Sequence, residues 1–272
     1  MNFKKNCMSY WFPKLAKTGI PFPQTAIVDM NKIDDNFNKA MMKLFWMKKL
    51  DEKDMRTFSS FRGLLEHMIT RMGGYPVFIR TGQTSHKHQW SETCYVKQKD
   101  TLMKNVQTML EYSIMSSVNP KKSFPINVWV VRKLIPTSPI FSAFGSQIPI
   151  TKEMRFFIRD GKIECMHPYW PEEAIKGFNK DKDWKKKLKT MNIINKDDLN
   201  HLKKLTLKVA HVFKGYWSID WLKSKSGKWY VIDMATGEDS YHWKDCPNNK
   251  KEVNMARRNK PKREKKKPKK KK

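Results

Sequence analysis

Acidic side chains are scarce in this sequence: 26 Asp and Glu stand against 56 Lys and Arg, a formal net charge of +30 over 272 residues. Such a surplus of cations points to polyanionic partners or substrates, whether nucleic acid, nucleotide phosphates or an acidic surface. Cysteine is scarcer still. Cys7, Cys94, Cys165 and Cys246 lie far apart with no C-x-x-C pair, which argues against a zinc ribbon or a dithiol redox motif and fits reduced thiols in a cytosolic protein. Long apolar runs are missing: none of signal-peptide length follows Lys4 and Lys5, and Val128–Val131 is far too short to span a membrane. The expectation is a soluble, cytoplasmic protein without a membrane partner. The Walker A pattern G-x-x-x-x-G-K-[ST] does not occur, nor does an internal repeat or a zinc-finger or RNA-reader motif.

What is present is enough to fold. Hydrophobic residues make up 39% of the chain and aromatic residues 12%, sufficient for one fairly large domain or two small ones. The charge is unevenly placed: residues 250–272 hold fourteen Lys or Arg against two Glu, a net +12, leaving +18 on the other 249 residues. Residues 248–272 lack the apolar surface to fold alone and are expected to form a disordered, Lys-rich tail. A lysine run of this kind can contact nucleic acid or another polyanion, act as a solubilising extension or, in a nucleated host, serve as an import signal.

Periodicity organises the body. Apolar residues at helical spacing predict helices from Asp34 or Asp35 through Phe45, from Phe58 to Met72 with Gly73–Gly74 as the stop, over 100–115, and over 197–214 with Asp197 or Asp198 as N-cap. One or two short surface helices are expected within the lysine-rich residues 172–196. Strands are expected at Thr25–Val28, Pro76–Ile79, Thr93–Val96 and 127–135, followed by a loop from Pro136 that carries Phe141 and Phe144. Residues 153–167 read as a hairpin turning at Asp160–Gly161.

Four polar groupings fall on strand ends or loops. Trp217, Ile219 and Trp221 alternate with polar partners, and with Lys228–Met234 they make a second hairpin; if Ser226–Gly227 is a two-residue loop, Asp220 sits directly opposite Asp233. Facing carboxylates call for a positive charge between them, and a hard cation with oxygen ligands, Mg²⁺ above all, supplies it. The competing reading is a pair of solvated carboxylates in a hairpin of different register. Arg80 ends its strand and opens a polar loop, Thr81–Trp90, that contains Lys87, a reasonable grip for phosphate. His86 and His88 flank Lys87 and could pair on a metal, but no third ligand lies nearby. Arg132 and Lys133 end the strand at 127–135. Glu153 and Arg155 share one strand face, as an ion pair or as two groups reaching a common ligand.

The segments WFPKLAKTGIPFPQT (11–25), VFIRTGQTSHKHQWSETCYV (77–96), VVRKLIP (130–136), EMRFFIRDGKIECMHPYWP (153–171) and SIDWLKSKSGKWYVIDMATGEDS (218–240) together resemble, in order and spacing, the ATP-grasp enzymes, in particular the small ATP-grasp proteins of phages and other viruses. The resemblance implies an α+β ATP-grasp fold: an N-terminal αβ lobe at 1–75, nucleotide-binding lobes at 76–247 with ATP between lobes, and the tail at 248–272. It implies an ATP- and Mg²⁺-dependent ligase that activates a carboxylate as an acyl phosphate for attack by an amine or thiol, in the host cytoplasm if the protein is viral. Arg80 then takes a phosphate-binding place usually held by lysine, and Lys87 closes over the phosphates. Arg132, Lys133, Leu134 and Ile135 fall on the adenine-binding hinge. Glu153 and Arg155 reach ribose and phosphates, with Arg155 and Lys87 catalytic, and Asp220 and Asp233 are the metal acids. One departure stands out: Ala235 replaces an Asn common two residues after the second acid, which removes an oxygen ligand unless Asp239 or Ser240 substitutes. Two alternatives remain open, an ATP-binding phosphotransferase and a sequence-tolerant nucleic-acid-binding protein with a degenerate ATP-grasp body.

Overall fold

The computed structural model describes residues 3–115, 126–145, 148–175, 181–246 and 248–249. The chain divides into two compact units, Met1–Ser240 and Tyr241–Lys272. In chain order the first unit contains helices α1 (Phe3–Asn6) and α2 (Met8–Ala16), strand β1 (Thr25–Asp29), helices α3 (Phe37–Phe45) and α4 (Glu52–Arg71), strands β2 (Val77–Thr81) and β3 (Tyr95–Val96), and helix α5 (Leu102–Met115). Strands β4 (Val128–Lys133), β5 (Phe141–Ala143), β6 (Ile148–Ile150), β7 (Glu153–Arg159) and β8 (Lys162–Pro168) follow. Helices α6 (Glu172–Ile175), α7 (Trp184–Asn192) and α8 (Lys196–Val212) then lead into β9 (Tyr216–Lys223) and β10 (Trp229–Thr236). In the second unit, the Trp243 carbonyl accepts from Cys246 N at 3.0 Å and from Asn249 Nδ2 at 3.2 Å, closing a turn. Most of the predicted tail lies outside the described residues.

Two antiparallel sheets carry the first unit. One has the order β1-β4-β2-β3 and the other β10-β9-β7-β8, with β5 and β6 forming a separate two-stranded ribbon. Because β1 pairs with β4, the stretch 1–75 shares a sheet with residues 77–133. The first sheet packs Trp129 and Val131 of β4 against Phe37, Phe61, Leu65 and Met109 from α3, α4 and α5. Val130 points the other way, into a second core with Trp11, Phe156, Ile219, Trp221 and Leu202. Burial on both faces explains why β4 reads as an unbroken apolar run.

Local chemistry accounts for the boundaries. Asp51 and Asp54 form a reciprocal capping box at the start of α4, and Gly73 and Gly74 adopt positive φ just beyond its end. The cap of α8 is Asn195, whose side chain accepts from Asp198 N, rather than Asp197 or Asp198; Asp198 instead takes Trp229 Nε1 at 2.8 Å and pairs with Lys223. Two elements depart from expectation. The segment from Cys7 to Ala16 is helical despite Pro13, because Trp11 and Leu15 bury one turn apart against the second core. Residues 141–150 form a ribbon rather than a loop, since Phe141, Ala143, Ile148 and Ile150 share a small third core with Trp170, Leu188 and Met191.

Candidate functional site

Alternation in the second sheet sorts its side chains by face. Met154, Phe156, Trp217, Ile219, Trp221, Val231 and Met234 enter the core. The opposite face carries Glu153 and Arg155 of β7, Asp220 of β9 and Asp233 of β10. Pairing is direct: His167 opposes Arg155, Arg155 opposes Asp220, and Asp220 opposes Asp233, so four polar residues form one row across the sheet. The expected Asp220–Asp233 pairing is present, but the route to it differs. Near the turn the ladder is offset by one, with Trp229 opposite Lys223, and the Lys225–Gly227 loop is closed by Ser224 N donating to the Lys228 carbonyl at 2.8 Å. The register shift between Val231 and Asp233 places a β-bulge at Ile232, and this restores the facing acids. Val231 and Met234 must both reach the core although three positions apart, and the bulge is how a strand does that.

The row forms part of the wall of a cavity of about 270 Å³. Of the residues singled out by sequence, Arg80, Lys87, Arg132, Lys133, Leu134, Ile135, Glu153, Asp220 and Asp233 line it, while Arg155 reaches it through Asp220. The opposite charges are joined. Arg155 Nε donates to Asp220 Oδ1 at 2.7 Å and its Nη2 to Oδ2 at 2.8 Å, a two-pronged grip. Arg80 Nη1 lies 3.0 Å from Asp233 Oδ1. Lys87 Nζ stands 3.8 Å from Glu153 Oε2 and over the rings of Tyr169 and Trp170, at 4.1 Å and 4.5 Å from their centroids. Glu153 and Arg155 therefore do not pair with each other; the Glu153 Oε1 atom takes Trp170 Nε1 at 3.2 Å.

Burial and neighbours set the protonation of these groups. Desolvation pushes the Glu153 carboxyl above the ordinary range, Lys87 opposes that rise, and Asp220 adds to it. Desolvation alone would lower Lys87, yet Glu153 and Tyr169 outweigh it and hold the ammonium above the ordinary lysine value. Arg155 is likewise raised, by Asp220 against its own burial. Burial and the nearby Arg80 lower Arg132 to about 9, which still leaves it charged at neutral pH.

Arg132 Nε donates to Thr25 Oγ1 at 3.1 Å and Nη1 to the Ile232 carbonyl, the group that the bulge removes from the ladder. Among the described residues, its buried Nη2 and the buried Glu153 Oε2 have no hydrogen-bond partner. A donor and an acceptor left over in one cavity are what a polar ligand satisfies. For a divalent cation, the acids Asp220 and Asp233 fit: two oxygen donors side by side, each held by a positive group. Ala235 adds no ligand, and Asp239 is turned toward Asn6 and Thr236, both at 2.8 Å from its Oδ2.

The histidines part company. His86 Nε2 lies 3.0 Å from Ser113 Oγ, and His88 stacks on Phe144 at 4.4 Å, so the two do not converge on a metal. Tyr169, Trp170 and Ile232 were missed by sequence reading. Aromatics in a run read as core, and the only sign of Ile232 is the break in alternation between Val231 and Met234.

Residues 71–247 match a family described as an ATP-grasp domain, the third family of its clade. No curated protein matches the chain. Among solved structures, C-terminally truncated Cdc123 from Schizosaccharomyces pombe is similar with a TM-score of 0.52 and 13% identity, covering 86% of this chain and 84% of that one. D-alanine–D-alanine ligase from Bacillus anthracis, solved with ATP, gives a TM-score of 0.42 and 16% identity over 85% of this chain. The match spans 54% of that ligase. At these identities the likeness is one of fold.

Proposed function

The chain belongs to this ATP-grasp domain family, and we propose that it is an ATP- and Mg²⁺-dependent ligase that joins a carboxylate to an amine or thiol. The observation that carries this reading is the charge arrangement of one cavity: Arg80, Lys87 and Arg132 stand beside Glu153, Asp220 and Asp233. Cations for phosphate oxygens and paired acids for a hard cation are the two halves of a nucleotide site.

In this reading Arg80 and Lys87 bind phosphate oxygens, Glu153 accepts from a ribose hydroxyl, and backbone groups of Lys133, Leu134 and Ile135 meet the base. Asp220 and Asp233 hold Mg²⁺, which when bound neutralises charge on the phosphates. A substrate carboxylate oxygen attacks the γ-phosphorus, the bond to the bridging oxygen breaks, and ADP leaves. The acyl phosphate is then attacked at carbon by the amine or thiol, inorganic phosphate departs, and the nucleophile gives up its proton. Arg155 and Lys87 supply positive charge where it is needed as phosphate transfers, and no protein nucleophile takes part.

Calorimetric titration with a non-hydrolysable ATP analogue, with and without Mg²⁺, tests binding; ADP release in a screen of carboxylates and amines tests turnover. Asp233→Asn should lower turnover about 100-fold or more, as loss of a charge-stabilising group in a transfer site does. Unchanged turnover would remove Asp233 from the site. A phosphorylated acceptor that persists, in place of an amide or thioester, would instead identify a phosphotransferase. The net +12 of residues 250–272 supports a second reading, sequence-tolerant contact with nucleic acid through the tail. That binding should survive Asp233→Asn and be lost on deletion of 248–272.

A further inference from the structure

The charged groups of the cavity are already paired with one another, and we propose that a divalent cation enters between Asp220 and Asp233 only together with a polyphosphate, because guanidinium groups otherwise stand in its place. The inference rests on the reading of the cavity as a nucleotide site. Both oxygens of Asp220 accept from the Arg155 fork, at 2.7 Å and 2.8 Å, and Asp233 Oδ1 lies 3.0 Å from Arg80 Nη1. These pairs are shielded from water: the side chains of Arg80, Arg155 and Asp220 are 4%, 14% and 7% exposed.

A cation arriving alone meets two fixed positive groups and must pull each carboxylate from a partner that has nowhere else to go. Breaking a buried pair on one side is strongly unfavourable. A polyphosphate arriving alone offers the guanidiniums new acceptors but leaves Asp220 and Asp233 bare beside its own negative charge. Only both together re-pair every group, phosphate with arginine and carboxylate with metal. Arginine keeps its charge across the accessible pH range, so pH cannot open the arrangement as it could with histidine or lysine. The coupling is reciprocal: the nucleotide must tighten the metal by the same factor as the metal tightens the nucleotide.

Mn²⁺, followed by the loss of its free-ion paramagnetic resonance signal, is the probe, with full-length protein and adenylyl imidodiphosphate. Metal affinity, corrected for the metal–nucleotide complex in solution, should rise about 10- to 100-fold when the analogue is present. Arg80→Met, with a native near-ultraviolet spectrum, should bind Mn²⁺ more tightly than wild type without nucleotide, and its coupling should fall toward one. Arg155→Met serves if Arg80→Met loses its fold. Equal Mn²⁺ affinity with and without analogue overturns the proposal, as does a folded variant with no gain in nucleotide-free affinity. An analogue that binds neither with nor without Mn²⁺ overturns the nucleotide reading itself; a gain in Mn²⁺ affinity by Arg80→Met would then still uphold the guanidinium lock.

Discussion

At the scale of single residues, close packing rather than conformation decides some of the least conspicuous positions. A Cβ added at Gly82 would lie 2.4 Å from Cys7 Sγ and 2.9 Å from the Val128 side chain, with Gly82 N and O both engaged, to Val128 and from Met8. Gly82→Ala should therefore destabilise the protein by about 1–3 kcal/mol in urea denaturation, since the neighbours have little room to yield. Asn6 is a second such position. Its side chain takes Thr236 N at 2.7 Å and donates to Asp239 at 2.8 Å, tying the start of the chain to the end of β10. Asn6→Ala leaves a buried backbone N–H unsatisfied, and a loss of about 1–3 kcal/mol is expected by the same measurement. Most residues that line the cavity were legible as candidates because charge at a strand end is conspicuous. Tyr169 and Trp170 were not, because an aromatic side chain beside Lys87 is indistinguishable in sequence from one in the core.

At the scale of elements, the polar segment after β2 is the one whose behaviour should change with pH. His86 sits there at φ +46° and lies 3.0 Å from Ser113 of α5, and burial, then Arg80 and His88, lower its pKa from 6.5 to about 4. The unfolded chain takes up this proton first. Stability is thus fully present above pH 6.5 and declines as pH falls toward 4, by at most roughly 3 kcal/mol. His86→Asn, which tolerates positive φ, should flatten this part of a stability profile measured by denaturation between pH 7 and pH 4.5. Secondary structure was legible wherever one period held throughout. The β7–β8 hairpin turns at Asp160 and Gly161 as expected, both at positive φ. Helix α2 was not legible, because Pro13 and a run of aromatics mask its period. The β5–β6 ribbon was hidden by its short strands, whose apolar pattern makes sense only against Trp170 and helix α7.

At the scale of the whole molecule, no described helix is long and apolar enough to cross a membrane. Body and tail divide the charge, +18 against +12, so polyanion binding can be apportioned. Deleting 250–272 should flatten the plot of log affinity for single-stranded nucleic acid against log salt, by about 0.7 for each phosphate that the tail had neutralised. An unchanged slope would assign phosphate binding to the body. The bulge at Ile232 has a consequence for how the length of this chain can vary. On the turn side of the bulge the ladder pairs Val231 with Trp221, so loss of Ile232 alone would bring Asp233 into the next regular place, still opposite Asp220. A one-codon deletion there should preserve the fold and the facing acids while taking away the carbonyl that anchors Arg132. Deletion of Val231 instead would remove a side chain from the core. Adjacent single-residue deletions should thus differ sharply in tolerance, and a deletion scan of β10 scored by soluble yield would reveal it.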